Sequence, residues 1–243
     1  MLHQLARFSA IAPLVEEAGP GELLDVGSGS EGVAGWIGPQ WRVTAVDESF
    51  DYIGAMSGPA GAPRRAVVAD ARALPFPDRS FDVVLALDVL EHIPPGDRPR
   101  TLAELVRTAR RRVIVAGPAG AEAHAADMRL AGRLRARGMT PPGWLLEHEA
   151  NGLPEREELV EALGGARRVR VLGDSNLRWH EWLYRLESRR PGFHLSRAAA
   201  LAVVRGLASR GPAQIAARLA LRLVKGPARG PFYRTIAVVD IEG

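Results

Sequence analysis

Five short apolar runs, at residues 22–26, 42–46, 65–69, 81–87 and 111–116, alternate with helical or loop stretches between residues 21 and 116. Several of them are apolar at consecutive positions. A strand with one wet face alternates apolar and polar residues; a strand covered on both faces does not. The pattern therefore predicts a parallel sheet between two layers of helix. Parallel neighbours need crossover connections of one hand, so this part of the chain reads as a doubly wound α/β fold.

After residue 116 the rhythm changes. Residues 117–150 are rich in Gly and Ala and contain Pro141-Pro142-Gly143, which reads as an irregular insertion with a helix near 121–137. Pro154, followed by Glu155, Glu157 and Glu158, opens a further helix, since proline and acids suit a first turn. Gly164-Gly165 closes it. Residues 168–172 and 235–241 read as a sixth and a seventh strand. The intervening stretch, more than 60 residues long, is too long for a plain loop in a compact domain. It reads as helical, with breaks near Pro191-Gly192 and Gly211-Pro212. The expected organisation is a helical segment (1–20), a core (21–116), an insertion (117–150), a core helix and strand (151–175), a helical cap insertion (176–232) and a final core strand (233–243).

The first predicted strand runs into Gly27-Ser28-Gly29-Ser30-Glu31-Gly32, after which a helix is expected. Glycines allow sharp turns and a close approach of backbone to a ligand, and a helix N-terminus offers free N–H groups. Taken literally this is the G-x-G-x-x-G dinucleotide-binding fingerprint, and Asp47, 20 residues after Gly27, suits an acid on a ribose. An NAD(P)-dependent oxidoreductase is thus one reading. Asp25 argues against it, because a carboxylate two residues before the loop would repel a pyrophosphate but suit an amine-bearing ligand.

Four segments carry a different resemblance: Asp25-Val26-Gly27-Ser28-Gly29; Asp47-Glu48-Ser49; Leu74-Pro75-Phe76-Pro77-Asp78-Arg79-Ser80-Phe81-Asp82-Val83-Val84; and Leu90-Glu91-His92-Ile93. In this order and spacing the region resembles the class I S-adenosylmethionine-dependent methyltransferases. The resemblance spans roughly residues 20–116. It departs from the usual pattern where Glu31 stands in place of a third glycine, which comes one residue later as Gly32. It implies a seven-stranded Rossmann-like sheet whose last strand is antiparallel, with the insertions forming a helical cap. The implied cofactor is S-adenosyl-L-methionine. Gly27, Ser28 and Gly29 would pass close to its methionine and ribose, Asp25 would hold the α-amino group, and Asp47 with Glu48 would meet the ribose hydroxyls. Asp70 and the Ala71 N–H would meet adenine, and Asp88 would lie beside the methyl group. Asp25 and Asp47 also read as helix caps, and Asp70 as a solvated turn residue.

Methyl transfer draws much of its acceleration from alignment and desolvation, and a base matters when the acceptor must lose a proton. His92, just past the fourth strand, is the candidate; loop capping is the alternative. His124, His148 and His180 fall in the insertions, where packed or surface positions are the plainer reading. The absence of cysteine removes disulfides, thiolate metal sites and cysteine nucleophiles, and no metal ligands are assigned. Trp144 to Glu149, followed by Gly152-Leu153-Pro154, resembles a stretch in bacterial methyltransferases of glycan and secondary-metabolite pathways. The expected acceptor is an O, N or C nucleophile, oxygen favoured, on a small molecule or glycan. A non-catalytic protein that binds the same cofactor is a further alternative.

Charge changes this picture in one place. The net charge is +4, yet residues 185–243 carry eleven Arg or Lys against three acids, leaving −4 for the rest. Arg197, Arg205, Arg210, Arg218 and Arg222 lie in an amphipathic stretch near 196–225. It reads either as a solvated face of the cap or as a grip on an anionic membrane or a phosphate-bearing, lipid-linked acceptor. No RNA-binding module is visible, so nucleic acid is not the expected partner. No apolar run of 18 residues and no secretory pattern is present, and a cytoplasmic protein, at most peripheral to the membrane, is expected.

Overall fold

A computed structural model describes residues 2–30, 32–49, 51, 65–165, 168–187, 199, 202–203, 220 and 229–241. Among them run seven strands in one sheet: β1 (Gly21–Val26), β2 (Trp41–Asp47), β3 (Arg65–Val68), β4 (Phe81–Leu87), β5 (Ala109–Pro118), β6 (Val169–Asn176) and β7 (Phe232–Asp240). Their order is β3-β2-β1-β4-β5-β7-β6. β1 pairs in parallel with β2 and β4, β2 with β3, and β4 with β5; β7 runs antiparallel to β5. This is the doubly wound sheet that the apolar runs predict.

The helices are α1 (Leu2–Glu16), α2 (Arg98–Thr108), α3 (Ala121–Arg135), α4 (Gly143–Asn151), α5 (Arg156–Gly164) and α6 (Leu177–Glu187). α2 starts with Pro99 in its first turn and buries Leu102 and Leu105. Pro fits there because the first-turn N–H has no helical partner to lose. α5 carries a reciprocal cap: Glu155 accepts from the Glu158 backbone, and Glu158 Oε2 accepts the Glu155 N–H at 3.1 Å. The core is densest around β1, β4 and β5, where Leu24, Val26, Val84, Ala86, Val113 and Val115 are all buried. β3 departs from the two-faced burial of its neighbours: it is the sheet edge, and Val68 is 50% exposed.

Three expectations are corrected. No helix follows the glycine loop directly; residues 33–36 form a turn closed by Trp36 N–H donating to Val33 O at 2.9 Å. The insertion at 117–150 holds a second helix, α4, beyond the expected one: α3 stops at Arg135, and Pro142 sits at the N-cap of α4. The sixth strand runs on to Asn176, past the expected end at 172.

The chain divides into two compact units. One comprises residues 12–172 and 234–243 and contains the core just described. The other comprises residues 1–11 and 173–233. Within it, Trp179 stacks on Trp182 at 4.8 Å between ring centroids and His180 stacks on Tyr233 at 3.7 Å. Asn176 Nδ2 donates to Arg229 O at 2.8 Å. Of the arginine-rich helical stretch expected near 196–225, residues 199, 202–203 and 220 are described; Arg197, Arg205, Arg210, Arg218 and Arg222 lie outside the described residues, as does Glu31.

Candidate functional site

The parallel register sets the C-terminal ends of the central strands level. Val26 lies beside Val46 and Ala86, and Leu87 beside Ala116. β7 enters this edge from the opposite direction, which places Arg234 beside Pro118. Ligands of open α/β sheets bind outside this edge, where crossovers diverge and leave a crevice.

The glycine loop lies at the end of β1. The N–H groups of Gly27 and Ser28 both donate to Val46 O, at 2.8 and 3.1 Å, folding the loop across the end of β2. Gly27 has φ +66°, and a Cβ there would lie 2.4 Å from Val89 Cγ2. Gly29, at φ +58°, faces open space, with nothing within 4 Å of a Cβ. One glycine is needed for conformation and contact, the other for conformation and a bare approach to the loop.

Asp47 is the hub. Its Oδ2 accepts the Gly29 N–H and its Oδ1 the Ser49 N–H, both at 3.0 Å. Each oxygen takes one backbone donor and retains a second lone pair. Glu48, next to it, is exposed. Asp25 is buried and accepts the Val33 N–H at 2.8 Å, bracing the far side of the loop.

Asp70, beyond β3, is gripped by Arg72. Arg72 Nε and Nη2 reach the carboxylate at 2.8–3.0 Å, its backbone N–H adds a bond at 2.8 Å, and its Nη1 reaches Asp97 at 2.8 Å. The guanidinium and that N–H hold the Asp70 pKa below the ordinary aspartate range. Ala71 is half-buried beside it.

Asp88 ends β4 in the left-handed region, at φ 55°, with its N–H donating to Ala116 O at 2.7 Å. That conformation costs free energy for a residue with a side chain. The carboxylate is held by Arg234, whose Nη2 reaches both oxygens at 2.9 Å while Nε reaches Oδ1 at 3.1 Å. Sequence reasoning missed Arg234, because 146 residues separate it from Asp88.

Glu91 is 1% exposed and His92 half-buried. His92 Nδ1 lies 2.5 Å from Glu147 Oε2 and its ring is 5.4 Å from that of His148. His148, 3% exposed, has its Nδ1 2.8 Å from Asp127 Oδ2. Trp144 packs edge-on against it at 5.2 Å. Arg98 joins the segments: it donates to the carbonyls of Leu90 and Ile93 after β4 and of Asn151 and Gly152 at the end of α4, at 2.6–3.2 Å. Burial holds the Arg98 pKa below the usual arginine value, against the pull of Glu158 and Glu91.

Asp25 and Asp47 therefore lie at the C-terminal ends of β1 and β2, and Gly27, Ser28, Gly29, Asp70, Asp88 and His92 follow the ends of β1, β3 and β4. His148 joins His92, whereas His124 stays apart, its Nδ1 buried without a hydrogen-bond partner among the described residues. His180 belongs to the other compact unit.

Residues 24–116 match the family described as "methyltransferase domain". No curated protein matches the chain. Among solved structures, a SAM-dependent methyltransferase from Thermotoga maritima is similar at 14% identity and a TM-score of 0.56, over 98% of this chain and 91% of its own. The magnesium protoporphyrin IX methyltransferase of Synechocystis PCC 6803, crystallised with bound SAH, is similar at 20% identity and a TM-score of 0.52, over 71% of this chain and 77% of its own. These likenesses concern the fold; the family match selects the methyltransferase reading of the glycine loop over the nicotinamide one. Residues 24–116 therefore carry the match to the methyltransferase-domain family, and the sheet they build is one that solved S-adenosylmethionine-dependent methyltransferases share.

Proposed function

We propose that the chain transfers the methyl group of S-adenosylmethionine to an oxygen nucleophile on a small-molecule or glycan acceptor, bound beside the ends of β1, β2 and β4. The observation that carries this reading is the juxtaposition, at one sheet edge, of a glycine loop fastened to Asp47 and a histidine oriented by a carboxylate.

The chain's own groups fit the cofactor. Space is open over Gly29, and both Asp47 oxygens keep a lone pair for the ribose hydroxyls. Glu48 stands at the rim for the same hydroxyls, and Gly27, Ser28 and Gly29 present backbone to the methionine portion. Asp25 gives that end of the crevice its negative charge, suited to an α-ammonium group. Asp70 and Ala71 flank the adenine position. Arg72 already occupies Asp70, so the carboxylate meets an adenine amino group only through the lone pairs that the guanidinium leaves. When bound, the cofactor supplies an electrophilic methyl group on a sulfonium. Asp88, held by Arg234, fixes the edge where that methyl lies.

His92 is the group that acts on the acceptor. The Glu147 carboxylate accepts its Nδ1–H, which leaves Nε2 with its lone pair. Oxygen is favoured because a hydroxyl must lose a proton as it attacks, and a positioned imidazole is of use there. The basic residues of 185–243 give the chain a means of gripping a phosphate-bearing or lipid-linked acceptor. Replacing Arg205, Arg210 and Arg218 by Ala should then weaken sedimentation with anionic liposomes or turnover of an anionic acceptor; no change in either removes that refinement.

The testing experiment is calorimetric titration with S-adenosylhomocysteine, with NADH in parallel. Each charge-assisted hydrogen bond contributes about 1.5–3 kcal/mol. Loss of two in Asp47→Ala should weaken binding by about 100- to 10,000-fold, since 1.4 kcal/mol is a factor of ten. Binding of NADH and not of S-adenosylhomocysteine would reverse the reading.

A further inference from the structure

Glu91, His92 and His148 each offer one ligand atom, and these atoms all lie within 4.8 Å of one another. We propose that the three form a site for a borderline divalent cation of the Zn2+ type, and that the cation is how His92 acts on the acceptor. The second half of this statement rests on the function proposed above.

The donor set is two imidazoles and one carboxylate, a set that suits Zn2+ or Fe2+ and leaves coordination positions open for a further ligand. The surroundings match what such ligands need. His92 and His148 each set Nδ1 against a carboxylate, of Glu147 at 2.5 Å and of Asp127 at 2.8 Å. An ionised carboxylate only accepts, so Nδ1 carries the hydrogen and Nε2 the lone pair. A carboxylate behind each histidine fixes the ring and raises its basicity toward a metal.

Charge points the same way. Three carboxylates, Glu91, Asp127 and Glu147, surround two imidazoles. Arg98 serves four backbone carbonyls beside them. The site is also built in advance. Arg98, with Asn151 Nδ2 donating to His92 O at 3.2 Å, ties the loop after β4 to the end of α4. Gly117 on β5 leaves room for the carboxylate, since a Cβ there would lie 3.0 Å from Glu91 Oε2.

Glu91 and His92 lie within residues 24–116, whereas Asp127, Glu147 and His148 lie beyond them, so this chain's insertion completes the cluster. A cation there takes an acceptor hydroxyl as a further ligand and lowers its pKa. The proton leaves to water, the oxygen forms its bond to the methyl carbon, and the breaking sulfur–carbon bond returns its electron pair to sulfur.

The test uses the tag-free full chain, stripped of metal and titrated with Zn2+ by calorimetry and with Co2+ by visible absorption. One equivalent of Zn2+ should bind, with d–d bands on Co2+ loading. His92→Ala and Glu91→Gln should weaken binding more than 100-fold. Glu147→Gln, at an exposed position, should weaken it by about 10–100-fold without removing a ligand. Glu149→Gln should leave it unchanged. Wild-type protein that binds no stoichiometric Zn2+, or binding indifferent to His92→Ala and Glu147→Gln, overturns the site. S-adenosylhomocysteine titrated into the same metal-free samples reports on the cofactor reading separately, so the two proposals fail independently.

Discussion

Gly27→Ala should destabilise the domain through two separable effects, and the structure contains the control for each. The first is conformational: at φ +66° a Cβ costs about 1–2 kcal/mol. The second is steric: the new methyl group would sit 2.4 Å from Val89 Cγ2, and overpacking a filled core costs about 1–3 kcal/mol. Restricting the unfolded chain returns about 0.4–1 kcal/mol. The net expectation is a loss of about 2–4 kcal/mol. Gly29→Ala shares the conformation, at φ +58°, but meets nothing within 4 Å, so it should lose about 1 kcal/mol or less. Val89→Ala removes the clashing methyl and by itself costs about 1.5–2.5 kcal/mol in lost apolar burial and cavity. In Gly27→Ala combined with Val89→Ala the steric part vanishes, so the double variant should be more stable than the sum of the singles by about 1–3 kcal/mol. Equilibrium urea unfolding of the four proteins measures this coupling. Additivity within about 0.5 kcal/mol, or a Gly29→Ala loss equal to that of Gly27→Ala, would refute the claim that contact with Val89 reserves position 27 for glycine.

Two further outcomes follow from the charged pairs. Arg234 and Asp88 have side chains 8% and 18% exposed, and removing one takes a largely buried ion-pair partner from the other; Arg234→Met should cost about 2–4 kcal/mol by urea unfolding, and combining it with Asp88→Asn should cost less than the single change. Glu104 has its pKa held below the ordinary glutamate range, chiefly by the hydrogen bond from Arg107 and then, against burial, by the Leu74 N–H. A depressed carboxylate stabilises the fold above its unfolded pKa and loses that contribution as pH falls through its folded value. Glu104→Gln should therefore lose about 1 kcal/mol at neutral pH, and the difference from the wild type should shrink as the pH falls below the ordinary glutamate range, a convergence that a urea-unfolding series over acid pH checks.

The sheet was legible because a strand buried on both faces must be apolar at consecutive positions, a local property of sequence. Residues 22–26, 81–87 and 235–241 fall within or nearly on β1, β4 and β7. Proline and glycine likewise mark the bounds of α5 in the sequence. The turn after the glycine loop was not legible. It depends on Asp25 reaching the Val33 N–H and on the loop folding onto Val46 O, contacts that local propensity does not encode.

The chemistry divides the same way. Gly27, Gly29, Asp47 and Asp70 are recognisable in sequence because strand and loop lengths carry them to one edge at fixed spacing. That Arg72 would claim Asp70, that Arg234 would return on an antiparallel strand to hold Asp88, and that His148 would meet Glu91 and His92 were decided by tertiary structure alone. Each joins groups whose separation along the chain is unrelated to their separation in space, or pits one partner against another for the same lone pair. The sequence by itself determined the sheet, its ligand-binding edge and the loop that marks it. Which charges neutralise one another at that edge followed only from packing, because burial makes an unpaired charge costly and the fold fixes which partners are within reach.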